Sequence, residues 1–262
     1  MTASRGQENA LCDILFGALR IYQPDENSGP RVNVDTVLLA DFARFSPRAR
    51  VLEMGCAHGA ISLILAKRRA LSGKPAGAPR IEGIDINEAL IRMASENATI
   101  NALADDTFFS VRDLRDCRKD YKPETFDVVV MNPPYDEPGR SRPSPREPLA
   151  SAMHGSECTL LDAVATAKYL LRNGGRFFLV MRAQRAGELF ALLDERNVKP
   201  KRVRFVHPKP DRDASVVLVE AVRAAGSGLV VEPPIYIYGD DGAYTEPLLA
   251  AYRLEAWRCR SS

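Results

Sequence analysis

Short apolar runs and longer segments with helical spacing follow one another along the middle of the chain. The clearest succession starts near Ala49, where RVLEMGC, an apolar run ending at glycine, is followed by AISLILAKRR, apolar at helical spacing. A Gly/Pro-rich stretch at 71–80 comes next, and then the run IEGIDI and the periodic segment NEALIRMASENATINA. The pattern therefore predicts two consecutive strand–helix units separated by a surface loop.

The second half of the chain continues this alternation. Apolar runs predict strands near Phe108–Val111 and in TFDVVVMN, RFFLVM, VRFVHP, SVVLVEAVRA and PIYIY. Helical spacing predicts helices in ECTLLDAVATAKYLLRN, with Asn173-Gly174-Gly175 as its C-cap, in AQRAGELFALLDERN and in a short segment near the C-terminus. The polar, proline-rich stretch 136–155 predicts a loop.

Helices interleaved with apolar strands are typical of a mostly parallel sheet that is covered by helices on both faces. We therefore expect an α/β, doubly wound, Rossmann-like fold with a seven-stranded, mostly parallel sheet. VRFVHP and SVVLVEAVRA are close enough in sequence to form a C-terminal antiparallel hairpin. Ligands bind such sheets beyond the carboxyl ends of the strands, so the residues after each strand are the candidates for chemistry.

The composition is that of a folded protein without a strong charge bias. The chain has 262 residues, with 36 Lys and Arg against 34 Asp and Glu, so any nucleic-acid contact must come from local clusters of charge. The five cysteines form no CxxC pair and the three histidines lack metal-ligand spacing, so we predict no disulfide framework and no metal site. We find no secretory signal or long apolar run, and we expect a cytoplasmic protein without membrane contact.

The turn after the first predicted strand has the pattern acid-x-Gly-x-x-x-Gly. A dinucleotide site prefers GxGxxG, but Ala57 and Ala60 stand at the second and third glycine positions. The pattern is better suited to a nucleoside with an amino-acid end and no pyrophosphate, which describes S-adenosylmethionine. The alternative is a strand-to-helix turn that needs glycine only for its backbone. The residues of this turn that we expect to bind the cofactor are Glu53, Gly55, Cys56, Ala57 and Gly59.

Acidic residues follow the next two predicted strands. Asp85 ends the second strand, where a carboxylate can accept hydrogen bonds from both ribose hydroxyls, although it could equally cap the next helix. Asp113 follows the third strand and could accept the amino hydrogens of the cofactor's adenine, although DLRD also has the composition of an ordinary charged turn. Ile86 and Arg112, beside these acids, complete the predicted cofactor contacts.

The most specific motif is Asn132-Pro133-Pro134-Tyr135, directly after the strand DVVVM. Two prolines stiffen the turn and leave carbonyls free to accept hydrogen bonds. If the Asn132 side-chain oxygen and the Pro133 carbonyl accept the two N–H groups of an exocyclic amine, the nitrogen lone pair is directed at the methyl group. Tyr135 would stack on the base. We predict that these four residues, Asn132 with a cofactor contact as well, are catalytic; the alternative is a rigid turn with a packed tyrosine.

These motifs resemble those of class I S-adenosylmethionine-dependent N-methyltransferases, and more closely those of bacterial tRNA(Val) adenine-N6 methyltransferases. The resemblance covers almost the whole chain and includes Ile21-Tyr22-Gln23, the segment 29–40, Val206-His207-Pro208 and Ala243-Tyr244-Thr245. It implies S-adenosylmethionine as cofactor, an RNA substrate that is a tRNA adenine, and a methyltransferase fold. It also implies that Gln23 and Asp35 help to line the cofactor pocket.

The same resemblance divides the chain into three stretches of one domain. Residues 47–225 would form the methyltransferase core. Residues 1–46 would pack on the cofactor site, and residues 226–262 would add a strand and a helix to the same domain.

One local cluster of positive charge lies between Arg196 and Arg212, where seven basic residues accompany the single acid Asp211. Such a strip could follow RNA phosphates, or it could be a solvated edge whose charges discourage aggregation. The residues that we expect to contact the RNA substrate are Arg202, Arg204, Lys209 and Arg212.

The leading functional hypothesis is N6-methylation of an adenine in tRNA. The same acceptor geometry would serve another planar amine, either guanine N2 in ribosomal RNA or a glutamine amide in a protein. Two further alternatives are a non-catalytic RNA-binding protein of the same fold and a nicotinamide oxidoreductase, which Ala57 and Ala60 disfavour.

Overall fold

The computed structural model of the protein describes residues 10–25, 29–133 and 158–255. Its strands are β1 (Ala10–Ile14), β2 (Leu19–Gln23), β3 (Val51–Met54), β4 (Ile81–Asp85), β5 (Thr107–Val111), β6 (Phe126–Met131), β7 (Leu171–Arg182), β8 (Val198–His207), β9 (Val216–Arg223), β10 (Val230–Val231) and β11 (Ile235–Tyr236). The helices are α1 (Val34–Phe42), α2 (Ala60–Leu71), α3 (Glu88–Ile100), α4 (Cys117–Asp120), α5 (Leu160–Leu170), α6 (Ala186–Glu195) and α7 (Glu246–Tyr252).

The main sheet has the strand order β10-β8-β9-β7-β6-β3-β4-β5, and β11 also pairs with β8. The strands β7, β6, β3, β4 and β5 pair in parallel, whereas β9 lies antiparallel to both β7 and β8. The predicted Rossmann-like class, with seven long strands and a C-terminal hairpin of β8 and β9, is confirmed. The short strands β10 and β11 extend the sheet at the β8 edge.

Helices cover both faces of this sheet because the strand side chains alternate between two apolar clusters. Val128 and Val130 on β6 pack on one face with α1, α2 and α7, and Val129 packs on the other face with α5 and α6. Both clusters are closed to solvent, so the polar chemistry is confined to the ends of the strands and the loops.

The N-terminal hairpin of β1 and β2 is an element that the apolar pattern did not predict. The two strands pair antiparallel from Ala10 opposite Gln23 to Ile14 opposite Leu19, and they form a separate two-stranded sheet. Leu19 and Ile21 point into the main apolar cluster while Arg20 is exposed. Only two apolar positions of β2 show this alternation, which is too short a pattern to stand out in the sequence.

The end of α5 differs from the prediction. The helix ends at Leu170, before the Asn173-Gly174-Gly175 sequence expected as its C-cap, and β7 begins at once with Leu171 opposite Phe126. The next pair is Arg176 with Val128, so β7 carries three extra residues at this point. Gly174, with φ of +76°, lies in the resulting bulge and not at a helix end.

One apolar cluster includes residues from all three predicted stretches, for example Ile21, Val51 and Leu248. The division at residues 46 and 225 stays a prediction, as does the cytoplasmic location. The helices in the described part of the chain are all too short or too polar to cross a membrane. The predicted loop at 136–155 lies outside the described residues.

Candidate active site

The carboxyl ends of β6, β3, β4 and β5 lie side by side along one edge of the sheet. Met54 of β3 is paired in register with Met131 of β6 and with Ile84 of β4. Gly55 follows directly on β3 and therefore lies between Asn132, which follows β6, and Asp85, which ends β4, at a strand spacing of about 4.8 Å. Three of the predicted motifs, far apart in sequence, meet at this edge.

The first turn reverses the chain between β3 and α2 through three left-handed residues. The φ angles are +68° at Gly55, +47° at Ala57 and +84° at Gly59. Among the described residues, a Cβ atom at Gly55 would have no neighbour within 4 Å, whereas at Gly59 it would lie 2.9 Å from the Phe109 ring. Gly55 thus leaves open space beside the turn, and Gly59 allows the turn to pack closely on β5.

Asp85 fixes this turn and retains capacity for a ligand. Its Oδ2 accepts a hydrogen bond from the Ala57 N–H at 2.9 Å, and its Oδ1 accepts one from the Asn87 N–H at 2.9 Å. A carboxylate has about four lone-pair sites and the Ile86 N–H also contributes a hydrogen bond, which leaves acceptor capacity for a ribose hydroxyl. Burial raises the pKa of Asp85, against the lowering effect of these backbone hydrogen bonds.

The surroundings of Gly55 and Asp85 fit a nucleoside. The adjacent Ile86 side chain is 52% exposed, which makes an apolar surface available next to the Asp85 carboxylate. A hydroxyl acceptor beside an apolar surface and an open glycine turn suits a ribose and its base.

Glu53, the acid of the first motif, has a structural contact. It is 2% exposed, and one carboxylate oxygen accepts hydrogen bonds from both the N–H and the hydroxyl of Ser62, in the first turn of α2. Burial raises the pKa of Glu53 to about 8, an effect that the hydrogen bonds from Ser62 only partly offset. The carboxyl group thus caps α2 from inside the protein, and direct contact with a cofactor stays a prediction.

Cys56 is buried at 3% exposure, and its N–H donates to the Ile84 carbonyl. Burial, together with the nearby acids Glu53 and Asp85, raises the pKa of the Cys56 thiol well above its usual value. Burial thus favours the neutral thiol over the thiolate, and contact of Cys56 with the cofactor stays a prediction.

The side chains of Asp113 and Arg112 are engaged with other parts of the protein. The Asp113 carboxylate accepts hydrogen bonds from the N–H of Arg115 at 2.9 Å and from its guanidinium, which together hold the Asp113 pKa below its usual value. Arg112 forms an ion pair with Asp120 and lies over the Tyr121 ring at 5.3 Å. The predicted adenine contact of Asp113 would therefore compete with Arg115.

Asn132 and Pro133 follow β6 and are partly exposed at the carboxyl edge. Pro134 and Tyr135, the other half of the motif, lie outside the described residues. The structure thus brings Asn132 next to the glycine turn, and the roles of all four residues stay predictions.

Gln23 ends β2, and its side chain connects β1 to the segment before α1. Its side-chain oxygen accepts a hydrogen bond from the Val32 N–H at 3.1 Å, and its amide nitrogen donates to the Cys12 sulfur at 3.1 Å. Asp35 lies in the first turn of α1, just after the N-cap Asn33. Both predicted pocket residues thus belong to the N-terminal elements, and their contact with the cofactor stays a prediction.

Two residues near the first turn were not singled out by sequence reasoning. Asn97 on α3 donates hydrogen bonds to the His58 carbonyl at 3.0 Å and to the Tyr22 carbonyl at 2.9 Å. The His58 ring is buried, and neither of its nitrogens has a hydrogen-bond partner among the described residues; burial, reinforced by Arg31, lowers its pKa to about 4. Asn97 belongs to no local motif, and His58 stands at an unspecified position of the first motif, so the sequence carried no signal for these contacts.

The basic strip is divided between different parts of the molecule. Arg202 lies in the middle of β8, forms ion pairs with Glu220 at 2.7 Å and Glu232 at 3.4 Å, and stacks on Phe42. The Arg204 guanidinium donates to the Pro233 carbonyl at 2.9 Å. Both arginines are thus engaged within the protein, Arg202 with two acids and Arg204 with a backbone carbonyl, and their contact with RNA stays a prediction.

Lys209 and Arg212 are exposed in the turn between β8 and β9. This turn is at the carboxyl edge, because Val206 pairs with Val216 and Val216 pairs with Arg182 at the end of β7. Arg196, in contrast, lies at the opposite edge, where it lines a cavity of about 250 Å³ with Arg118 and Tyr169. Only Lys209 and Arg212 of the predicted RNA contacts thus share an edge with Asn132.

Within residues 10–25, 29–133 and 158–255, no three His, Cys, Asp or Glu side chains are grouped so that they could hold a metal ion. The prediction that the protein needs no metal stays a prediction.

Comparison with protein families and curated proteins gives a consistent result. The model of a methyltransferase domain matches residues 45–207. The tRNA1(Val) (adenine(37)-N6)-methyltransferase of Aeromonas hydrophila is 27% identical over 216 residues, which cover 82% of this chain and 86% of that protein. The protein of the same name from Pedobacter heparinus is 29% identical over 224 residues, with the same coverage of each chain.

Solved structures share the fold at low sequence identity. A predicted O-methyltransferase from Agrobacterium tumefaciens aligns with a TM-score of 0.67 and 20% identity over 87% of this chain and all of that chain. The geranyl diphosphate C-methyltransferase of Streptomyces coelicolor aligns with a TM-score of 0.52 and 14% identity over 72% of this chain and 76% of that one. These similarities establish the sheet topology and carry no information on the substrate.

Proposed function

From the premise that the chain belongs to the methyltransferase-domain family and is an S-adenosylmethionine-dependent methyltransferase, we propose that it methylates the N6 amine of an adenine in tRNA. The family assignment defines the reaction class and the cofactor. The choice of a tRNA adenine is the further step, and an RNA partner is part of it. The distant similarity to tRNA adenine-N6 methyltransferases over most of the chain supports this choice.

The observation that carries the proposal is the register of β3 and β6. Met54 lies opposite Met131, so the glycine turn and the Asn132-Pro133-Pro134-Tyr135 motif start from neighbouring strand ends. A transfer between two bound molecules requires their sites to lie within one strand spacing or so of each other. This arrangement is the one expected if Gly55 borders the cofactor and Asn132 borders the amine.

The residues of the motif orient the amine in this proposal. S-adenosylmethionine, when bound, supplies a methyl group already activated by a positively charged sulfur. The Asn132 side-chain oxygen and the Pro133 carbonyl accept the two amine N–H groups, which aligns the nitrogen lone pair and stabilises the positive charge that develops on it. Tyr135 stacks on the base and adds about 1–3 kcal/mol of binding.

The cofactor is held by the neighbouring strand ends. Asp85 accepts hydrogen bonds from the ribose hydroxyls, Ile86 contacts the adenine, and Gly55 leaves room for the amino-acid end. The described residues of this edge thus provide a hydroxyl acceptor, an apolar surface and open space, which are the three features a nucleoside needs.

Methyl transfer to purified RNA and protein tests the proposal. Labelled S-adenosylmethionine is incubated with the protein and tRNA, ribosomal RNA or a protein extract, and labelled nucleosides are identified by mass spectrometry. We expect N6-methyladenosine in tRNA. Label in guanine, in glutamine or only in ribosomal RNA would contradict the substrate assignment while leaving the family assignment intact.

A variant pair tests the role of Asn132. We expect Asn132→Ala to lower kcat about 100-fold, because a donor–acceptor contact that strengthens in the transition state is lost. Asn173→Ala, in the exposed start of β7 at the opposite edge of the sheet, is the control and should retain full activity. Equal activities of the two variants would remove Asn132 from the mechanism.

A further inference from the structure

Two asparagines one turn apart, Asn97 within α3 and Asn101 at its C-cap, bind the free edge of β2. Asn97 accepts a hydrogen bond from the Tyr22 N–H at 2.7 Å and donates to the Tyr22 carbonyl at 2.9 Å. Asn101 accepts one from the Arg20 N–H at 2.9 Å and donates to the Arg20 carbonyl at 2.6 Å. Four helical residues rise about 6 Å and two strand residues about 6.8 Å, so the two amides match alternate strand residues and replace a neighbouring strand.

Asn97 has one contact that Asn101 lacks. Its amide nitrogen also donates to the His58 carbonyl at 3.0 Å, inside the first turn between β3 and α2. Asn97 is fully buried, and its two N–H groups and its oxygen are all used. Asn101 instead donates a second hydrogen bond to the Asn97 carbonyl within the same helix.

Both ends of the Asn97 contact lead to predicted cofactor residues. His58 follows Ala57, whose N–H is bound by Asp85. Tyr22 precedes Gln23, whose side-chain oxygen accepts a hydrogen bond from the Val32 N–H. One side chain therefore connects the N-terminal hairpin to the turn that lines the cofactor site.

We propose that Asn97 is a positioning residue for cofactor binding, which sets the distance between the N-terminal hairpin and the glycine turn. The proposal rests on the proposed location of the cofactor at this turn, but not on the identity of the methyl acceptor. Without the Asn97 amide, the His58 carbonyl and both Tyr22 backbone groups lose their partner, and the turn is free to shift away from Gln23.

Calorimetric titration with S-adenosylhomocysteine tests the proposal on Asn97→Ala, with Asn101→Ala as the matched control. We expect the Kd to rise about tenfold for Asn97→Ala, and by less than about twofold for Asn101→Ala, because only Asn97 touches the turn. In steady-state assays the KM for S-adenosylmethionine should rise while kcat at saturating cofactor stays the same. Equal changes of Kd in the two variants, or no change in either, would overturn the proposal.

Hydrogen exchange of the wild-type protein provides a second test, which decides the question even if Asn97→Ala does not fold. Binding linkage is reciprocal, so S-adenosylhomocysteine must stabilise the docked hairpin by the same free energy that the hairpin contributes to binding. We expect the Tyr22 amide, bound to Asn97, to exchange about tenfold more slowly with ligand, and the Arg20 amide to slow less. Unchanged exchange at Tyr22 would contradict the proposal. Because neither test uses RNA, a failed tRNA assay would not affect them.

Discussion

The buried carboxyl group of Glu53 accepts hydrogen bonds from both the N–H and the hydroxyl of Ser62. Burial favours the protonated form, so the carboxyl group retains its proton well above the pH at which an exposed glutamate loses it. At this position an acid that belongs to the first motif contributes a helix contact whose strength depends on pH. Glu53 therefore has a structural role that the motif pattern alone does not indicate.

The stability of the protein should fall as the pH rises from 6.5 to 8. The pKa of Glu53 is raised from 4.5 to about 8, so in this window the folded chain holds a proton that the unfolded chain has lost. The free energy of unfolding then falls by on the order of 1 kcal/mol per pH unit. Urea unfolding of Glu53→Gln at several pH values should show a weaker dependence of stability on pH. The glutamine amide can still accept a hydrogen bond from the Ser62 N–H, but it does not titrate.

The pH window starts at 6.5 because below this pH the titration of His58 has the opposite effect on the stability of the protein. Its pKa is lowered from 6.5 to about 4, so the unfolded chain binds the extra proton there and stability rises with pH. Glu96→Gln, an exposed change on α3, is the control and should keep the wild-type slope. A wild-type slope in Glu53→Gln as well would assign the pH dependence to another group.

At the scale of elements, the strand-to-helix turn between β3 and α2 is shaped by close packing against β5. The Phe109 ring lies where a Cβ atom of Gly59 or Gly83 would be, at 2.9 Å and 2.6 Å. The turn and β4 thus approach β5 more closely than a Cβ atom at Gly59 or Gly83 would permit. This explains a glycine within the apolar strand IEGIDI, where glycine is otherwise unfavourable.

Gly59→Ala should destabilise the protein more than Gly73→Ala. Both glycines have φ angles near +80°, +84° and +80°, so alanine introduces similar backbone strain of about 1–2 kcal/mol at each. Only at Gly59 does the new Cβ also meet Phe109, whereas at Gly73 no atom of the residues that the structure describes lies within 4 Å. Chemical denaturation of both variants measures the difference, which we expect to be about 1–3 kcal/mol. Equal losses would show that Phe109 moves aside without cost.

At the scale of the whole molecule, the sheet separates charges that are close in sequence. β8 extends from Val198 to His207 over the full height of the sheet. Basic residues near its start and after its end therefore lie at opposite ends of the strands. Lys199 and Lys201 bind Asp194 and the Gly226 carbonyl near its start. Of the basic residues between Arg196 and Arg212, Lys209 and Arg212 in the turn after β8 are therefore the ones that lie at the carboxyl edge.

The double variant Lys209→Gln/Arg212→Gln should weaken tRNA binding and reduce its salt dependence. Loss of two phosphate contacts lowers the slope of log K against log salt by about 1.5–2. Lys199→Gln/Lys201→Gln removes the same charge at the opposite edge and should leave the slope unchanged. Filter binding at several salt concentrations measures both variants, and equal slopes would contradict an approach of RNA at the carboxyl edge.

The order of strands and helices followed from the sequence because apolar periodicity is a local property. Each predicted strand from β3 to β9 has a counterpart in the structure, and Gly55, Asp85 and Asn132 do lie at strand ends. The parallel order of the sheet then places strand ends at one edge, so the meeting of these motifs could also be anticipated.

Contacts between distant residues were decided only by the tertiary structure. Asn97 and Tyr22 are 75 positions apart, and Arg202 is 160 positions from the Phe42 carbonyl that it binds, so neither pairing leaves a local pattern. The docking of the β1–β2 hairpin, the neutralisation of Arg202 and the burial of Glu53 all depend on such contacts. The sequence determined which elements form and where their chemistry is exposed; the packing of those elements decided which polar groups are bound within the protein and which remain for a ligand.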